Sequence, residues 1–381
     1  MGLGVRALAE NVPAMPHYRQ DAQTLDAEVL HWIDAWHRHG TPMQDGDFND
    51  LALRIFAHQF AYNEPYARYA ASLGFSLASL PASYHEIPAV PSAAFKEATM
   101  TTFDPAVAAL AFETSGTTQG IGGRHFMESR DLYDASLLAS FDRFMLGDRL
   151  KLRYLNLVPN PADRPQSSLG YMMGRVSAER GNEQTGWYLR GDDLFFDAFL
   201  ADLHDAIASR EPVCIAATAF ALVHVIEAMT ARDLRLELPP GSRVMETGGF
   251  KGRTRVVERA ELYAGICERF TLPVEAIVAE YSMTELSSQY YDAPAMRSLP
   301  TRVKLAPPWL RARVVGPDGA TLADGTVGAL VHVDLANRSS CLAVATEDLG
   351  VAHDGGFILI GREHGAALRG CSLDAEELLR A

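Results

Sequence analysis

Near the start of the chain, apolar residues recur at helical spacing. Leu25, Val29, Trp32, Ile33 and Trp36 share one face, and Phe48, Leu51, Ile55 and Phe56 repeat the pattern. This predicts an N-terminal helical cap over 25–75. From 105 to 285 the pattern alternates. Ser129-Arg130-Asp131 opens an amphipathic helix with Leu137, Phe141, Phe144 and Met145 on one face, and Tyr154 to Val158 is a strand ended by Pro159. A second apolar run, Pro212 to Ala216, leads through Thr218 into a helix over Phe220 to Ile226. Arg243-Val244-Met245 is a strand ending at Gly248-Gly249, Leu262, Ile266 and Phe270 mark a helix, and Ala276 to Ala279 is the next strand. Strands alternating with helices predict a largely parallel sheet, in which ligands gather beyond the carboxyl ends of the strands.

After 300 the texture changes to short β runs with turns. Leu310 to Val315, the turn Pro317-Asp318-Gly319, Gly328 to Val333, Leu342 to Ala345, and Phe357 to Ile360 after Asp354-Gly355-Gly356 predict a small antiparallel unit. The expected fold class is α/β: a large domain with mostly parallel sheet flanked by helices, plus a small antiparallel β unit. The expected division is a helical segment over 1–80, an α/β core over 81–300, a β subdomain over 301–361 and a C-terminal stub over 362–381.

Composition narrows the function. The 381 residues carry 48 acidic and 34 basic side chains, a net charge of −14, which disfavours nucleic acid or an anionic membrane as partner. Cys214, Cys267, Cys341 and Cys371 are far apart and suggest neither a zinc site nor a disulfide framework. His31, His37 and His39 lack acidic or cysteine partners at ligand spacing and read as solvated. With no long apolar run and no charged-then-apolar leader, a cytoplasmic enzyme is the simplest expectation.

The chemistry concentrates at Leu110 to Gly123, where a short apolar run ends in Thr114-Ser115-Gly116-Thr117-Thr118-Gln119-Gly120-Ile121-Gly122-Gly123. Four hydroxyls can donate to phosphate oxygens, and glycines let backbone N–H groups approach an anion. No Gly-Lys-Ser/Thr follows, so this is not the loop of the common ATPases, and the dinucleotide fingerprint is incomplete. Alone, such a cluster also suits a polar surface loop. Its company decides: Glu280-Tyr281-Ser282-Met283-Thr284-Glu285 after the Ala276–Ala279 run, then Ala345-Thr346-Glu347-Asp348, then Gly356 to Gly361-Arg362.

In order and spacing these segments resemble the adenylate-forming ligases, whose signatures are a Thr-Ser-Gly-Thr-Thr-Gly loop, a Tyr-Gly-x-Thr-Glu turn and a Thr-Gly-Asp segment. Within that superfamily the chain is most similar to the acyl-protein synthetases of bacterial bioluminescence and their relatives. Ile87 to Pro91 with Phe95-Lys96, Met245 to Gly252, and Leu368 to Leu373 carry that likeness from about residue 80 onward. The resemblance implies ATP and Mg²⁺. Thr114, Ser115, Gly116, Thr117 and Thr118 would hold the β/γ-phosphates, Thr284 the α-phosphate, and Glu285 the metal. Tyr281 would lie against adenine, Gly248 and Gly249 would admit its edge, Asp348 would take the ribose hydroxyls, and Arg362 would reach ribose or phosphate from the hinge. Glu347 replaces the family's glycine.

The superfamily's usual lysine after the loop is missing, and Arg124, His125 and Lys251 are equal candidates for that positive charge. The mobile C-terminal domain with its catalytic lysine also looks absent or reduced. The resemblance places an acyl-accepting cysteine where Cys371 stands, and neighbouring Arg369 would favour its thiolate. The expected activity is ATP-dependent activation of a carboxylic acid to an acyl-adenylate, with transfer to Cys371 or an external thiol. The alternatives are a biosynthetic aryl or acyl ligase delivering to CoA, a carrier protein or an amine, and a non-catalytic nucleotide-binding subunit. A binding subunit would keep Tyr281 and Asp348 but not need Thr284, Glu285 and the hydroxyl loop. An α/β-hydrolase is disfavoured because Ser115 lacks the Gly-x-Ser-x-Gly frame.

Overall fold

The computed structural model describes residues 17–114, 122–147, 149, 151–191, 193–248, 258–298 and 301–362. Helices α1 (Tyr18–His39), α2 (Asp45–Tyr62) and α3 (Glu64–Ser72) come first. The predicted helical stretch is broken where the sequence offers stops. Gly40 adopts φ 67° and its N–H bonds back to Trp36 O (2.8 Å). Asn63 ends α2 and caps α3, its Oδ1 accepting from Tyr66 N–H (3.2 Å) with a proline in the first turn.

Strand β1 (Val90–Pro91) and the short α4 (Ala94–Glu97) lead to a hairpin of β2 (Leu110–Glu113) and β3 (Arg124–Met127). Then come α5 (Asp131–Phe141), β4 (Arg153–Leu157), α6 (Ser168–Arg180), β5 (Gly186–Trp187), and the small pair β6 (Leu189–Arg190) and β7 (Asp193–Leu194). The α/β alternation continues through α7 (Phe196–Ser209), β8 (Val213–Thr218), α8 (Ala219–Ala231), β9 (Arg243–Thr247), α9 (Arg259–Phe270), β10 (Ile277–Tyr281) and the edge strand β11 (Tyr290–Tyr291).

These strands form a six-stranded sheet in the order β11-β10-β9-β8-β4-β5, parallel except for β11. Both faces are covered, which is why its strands read as unbroken apolar runs. Leu155, Ile215, Val244 and Ile277 pack against α7, α8 and α9. Tyr154, Cys214, Met245 and Val278 on the other face pack against α5 and α6. The predicted helix through Met145 changes character: α5 ends at Phe141 and continues as a π-helical turn, Asp142–Leu146.

The second sheet is built from β12 (Leu310–Val315), β13 (Val327–Asp334), β14 (Ala343–His353) and β15 (Gly356–Arg362), all antiparallel. One strand comes from far upstream, β1 running parallel to β14. This sheet shares its core with α1–α3: Val29, Ile33, Phe48, Ile55 and Phe56 join Leu310, Leu330, Leu342 and Val344. Gln59 and Asn63 fasten the two, with Gln59 Nε2 donating to Asn337 O (2.9 Å) and Asn63 Nδ2 to Ser340 O (3.2 Å). The N-terminal helices therefore complete this sheet's core. Among the described residues, no helix is long and apolar enough to cross a membrane.

Candidate active site

The β2/β3 hairpin holds the two ends of the hydroxyl loop. It pairs from Leu110 with Met127 to Glu113 with Arg124. Thr114 extends the pairing, its N–H donating to Gly123 O (2.8 Å) and its Oγ1 accepting from Gly123 N–H (2.8 Å). A Cβ at Gly122 would stand 2.6 Å from Thr114 O, so the stem closes only with glycine there. Ser115, Gly116, Thr117 and Thr118 lie outside the described residues.

Arg124 and His125 point to opposite sides of β3, as strand alternation requires. Arg124 is exposed, its guanidinium 3.6 Å from the Glu113 carboxylate and 4.9 Å over the Phe126 ring. His125 is 1 % exposed, edge-on to Phe95, with Nδ1 2.8 Å from Thr284 O. Burial pushes its imidazole down to about 4. At neutral pH the ring is uncharged, so facing a carbonyl it carries its proton on Nδ1. Of the three candidate cations, Arg124 thus presents a charge, His125 serves as a tether, and Lys251 lies outside the described residues.

The tethered turn follows β10 at the carboxyl end of the parallel sheet. Thr284 is half-buried there and Glu285 is buried. A buried polar network supports the turn from the second sheet. Asn337 Nδ2 donates to Glu285 O (2.7 Å) and Cys341 O (2.9 Å), while Ser287 Oγ donates to Asn337 Oδ1 (2.6 Å). Asp334 accepts from Ser287 N–H (2.9 Å), Ser288 Oγ (2.8 Å) and Ala336 N–H (3.0 Å). Burial raises the Asp334 carboxyl to about 6 against those donors.

Tyr281, the last residue of β10, donates its hydroxyl to Asp348 Oδ2 (2.8 Å) and lies 3.4 Å from His332 Nε2. His332 Nδ1 is in turn 2.9 Å from the Tyr290 hydroxyl, and the Tyr281 ring meets Phe357 edge-on. Asp348 sits on β14 with its N–H donating to Thr346 Oγ1 (3.1 Å), and Glu347 beside it is exposed. Arg362 is opposite Asp348 in the β14/β15 register. Gly248, with φ 70°, turns the chain beyond β9, where Thr247 Oγ1 donates to Glu280. Gly249 and Cys371 lie outside the described residues.

The fold thus gathers Thr114, His125, Gly248, Tyr281, Thr284, Glu285 and Asp348 at the sheet's carboxyl edge or across from it. Sequence reasoning missed Asp334, Asn337, His332 and Lys304. Lys304 is buried, donates to Ala279 O (2.7 Å) and pairs its backbone with Phe357, which ties the two sheets. Burial lowers its ammonium pKa against the raising charges of Asp292, Glu246 and Glu280. The available signal was polar residues inside apolar runs, His332 and Asp334 in β13 and Asn337 beyond it, since such groups stay buried only when satisfied.

Solved structures share this architecture. A 2-hydroxyisobutyryl-CoA ligase, in an open conformation with 2-HIB-AMP and CoA, aligns with a TM-score of 0.62 at 12% identity, covering 86% of this chain and 78% of that one. ATP-bound MatB from Rhodopseudomonas palustris gives 0.50 at 17% identity over 68% of this chain; the match spans about half of MatB, 49%. The fold is that of the adenylate-forming ligases.

The family profile described as acyl-protein synthetase, LuxE, matches residues 38–379, and the chain belongs to that family of AMP-forming ligases. A relative, the long-chain-fatty-acid–luciferin-component ligase of Vibrio harveyi, is 22% identical over 363 residues, covering 90% of this chain and 92% of that protein.

Proposed function

We propose that the chain activates a carboxylic acid with ATP and passes the acyl group to a thiol. The observation that carries this reading is the bond from His125 to Thr284 O, which joins the stem of the phosphate-type loop to the Thr284-Glu285 turn. A binding subunit would need the adenosine contacts alone. The ATP-bound neighbour and the ligase relative support ATP as substrate, and the relative's name supports a long-chain fatty acid.

In the first step a carboxylate oxygen attacks the α-phosphorus, the α–β anhydride P–O bond breaks, and pyrophosphate leaves with the electron pair. Thr114 and the hydroxyls after it donate to the β/γ-phosphates. Thr284 donates to the α-phosphate oxygen as charge builds there, and its backbone, pinned by His125, is preorganised for that donor. Asp348 accepts from the ribose hydroxyls, and Tyr281 positions the Asp348 carboxylate through its hydroxyl while its ring flanks the base. Arg124 offsets phosphate charge at the loop mouth. The buried Glu285 carboxylate suits Mg²⁺, which takes few protein oxygens alongside substrate phosphates and neutralises their charge when bound.

In the second step a thiolate attacks the acyl carbonyl, the C–O bond to AMP breaks, and AMP departs. Cys214 and Cys341 are fully buried, Cys267 on α9 is half-buried, and burial pushes all three thiols up, so none of them suits an acceptor. Cys371 is the acceptor of this reading.

ATP–pyrophosphate exchange over fatty, aromatic and amino acids, with intact-protein mass spectrometry of the wild type and Cys371→Ser, tests both steps. Exchange with an acyl adduct absent from the variant is the expected outcome. Exchange with no adduct moves the acceptor to an external thiol such as CoA or a carrier, and no exchange with any acid overturns the ligase reading.

A further inference from the structure

A cleft of about 510 Å³ opens at the π-helical turn after α5 and the end of α6. Leu152 N–H, just before β4, donates to Arg180 O (3.1 Å) at its edge, so the cleft lies where the parallel strands begin, opposite the edge that carries Thr247 and Tyr281. Trp36, Arg143, Arg149, Lys151 and Arg180 line it together with Asp142. Asp142 is fully engaged: Arg180 grips both its oxygens (2.7 and 2.8 Å), and His37 Nε2, expected from the sequence to be merely solvated, is 2.8 Å away. Glu179 at the rim pairs with Arg175 (3.2 Å). Among the described residues no carboxylate lies within salt-bridge distance of Arg143, Arg149 or Lys151. Among the described residues, three cations thus converge without a carboxylate partner in a chain of net charge −14.

The surroundings hold this arrangement in place. Widening of the helical ladder to a π turn is a conformation found at functional sites, and buried Arg243 donates to Met145 O and Leu146 O, clamping the turn from inside. The Arg149 guanidinium lies against Gly241, where a Cβ would stand 2.0 Å from Nη2 and φ is already +89°. The positive φ is what favours glycine there, since the guanidinium is the movable end of a long side chain. Arg149 makes one long hydrogen bond, to Pro240 O (3.3 Å), and its Nε is sealed from water with no partner. Such a guanidinium lacks an acceptor that it is shaped to bind in pairs.

The geometry points to a second anion site, remote from the proposed ATP site, that takes a phosphoanhydride: inorganic pyrophosphate or the diphosphate of a nucleotide. Arg149 and Lys151 meet the two phosphates, Arg143 adds charge at the exposed rim where it packs over the Trp36 ring (5.7 Å), and the cleft volume matches that of small-molecule sites. The test is calorimetric titration of the whole chain with inorganic pyrophosphate, ADP and AMP in EDTA. The Arg149→Gln/Lys151→Gln double variant is expected to weaken pyrophosphate binding about tenfold or more and leave AMP binding unchanged, since it removes two charge-assisted contacts. Equal weakening for ADP identifies a nucleotide diphosphate as ligand; weakening for pyrophosphate alone identifies the free anion. Arg143→Gln, a single change at an exposed side chain, is expected to weaken pyrophosphate about threefold and decides the matter if the double variant fails to fold. Unchanged pyrophosphate affinity in the folded variants overturns the site.

Discussion

Acidification from pH 7 to pH 5 is expected to remove a large part of the protein's stability, because three histidines are held neutral by burial. His125 and His332 are pushed down to about 4 and His58 to about 3, the last also repelled by Arg338. Unfolded, each returns to an ordinary pKa near 6.5 and takes up a proton that the folded state refuses. The folded pKa values are depressed, so the contribution is present above about 6.5 and is lost as pH falls toward 4. At pH 5 the penalty is about 2 kcal/mol per ring and about 6 kcal/mol for three. Asp334 acts oppositely: raised to about 6, it binds a proton in the folded state first and returns about 1.3 kcal/mol. Glu246 and Asp134, also raised by burial, act in the same sense. From the histidines and Asp334 a net loss of about 5 kcal/mol remains, before the smaller offset from Glu246 and Asp134, a large share of the usual 5–15 kcal/mol of a folded domain. Urea unfolding at stepped pH measures it, and His58→Phe isolates one term. His58 stacks on Tyr18 at 5.3 Å with neither ring nitrogen bonded, so phenylalanine should fit and flatten the pH slope by about 2 kcal/mol. Stability that is equal or higher at pH 5, or a His58→Phe slope identical to wild type, would refute the reasoning.

Gly122→Ala should force the loop stem apart at the 2.6 Å approach to Thr114 O, destabilise by about 1–3 kcal/mol, and raise KM for ATP in steady-state assays. Asn337→Leu strips a donor from Glu285 O and Cys341 O; at about 1–3 kcal/mol for each buried carbonyl left unpaired, thermal unfolding should register the loss, and kcat should fall as the turn loosens. Asp348→Asn should raise KM for ATP about tenfold or more with a smaller change in kcat, since hydrogen bonds to a charged group are worth about 1.5–3 kcal/mol. An unchanged KM would remove Asp348 from the ribose role.

The parallel sheet was legible because its strands are covered on both faces and read as apolar runs: Pro212 to Ala216 and Ala276 to Ala279 overlap the observed strands Val213–Thr218 and Ile277–Tyr281, each of which runs two residues further. The strand β1 was not, because two residues carry no period and its pairing with β14 spans some 250 positions of chain. The π turn was hidden for a different reason, since Phe144 and Met145 continue the helical period past the point where the hydrogen bonding widens. At the site, the hydroxyl loop and the Thr284-Glu285 turn stood out by local composition. The bond that joins them did not, because His125 acts through burial and a carbonyl 159 residues away.

The shared core of α1–α3 and the second sheet constrains how the protein emerges from the ribosome. Gln59 finds its carbonyl partners 278 and 279 positions later, and Arg338 pairs with Asp26 across 312. At the usual rates of synthesis the helices wait roughly 15–60 s, with Ile33, Phe48 and Phe56 unsheltered, before their partner strands exist. Helices made well before their partner strands are therefore among the last elements to settle, and release of truncated nascent chains should yield sticky helical intermediates instead of a folded domain.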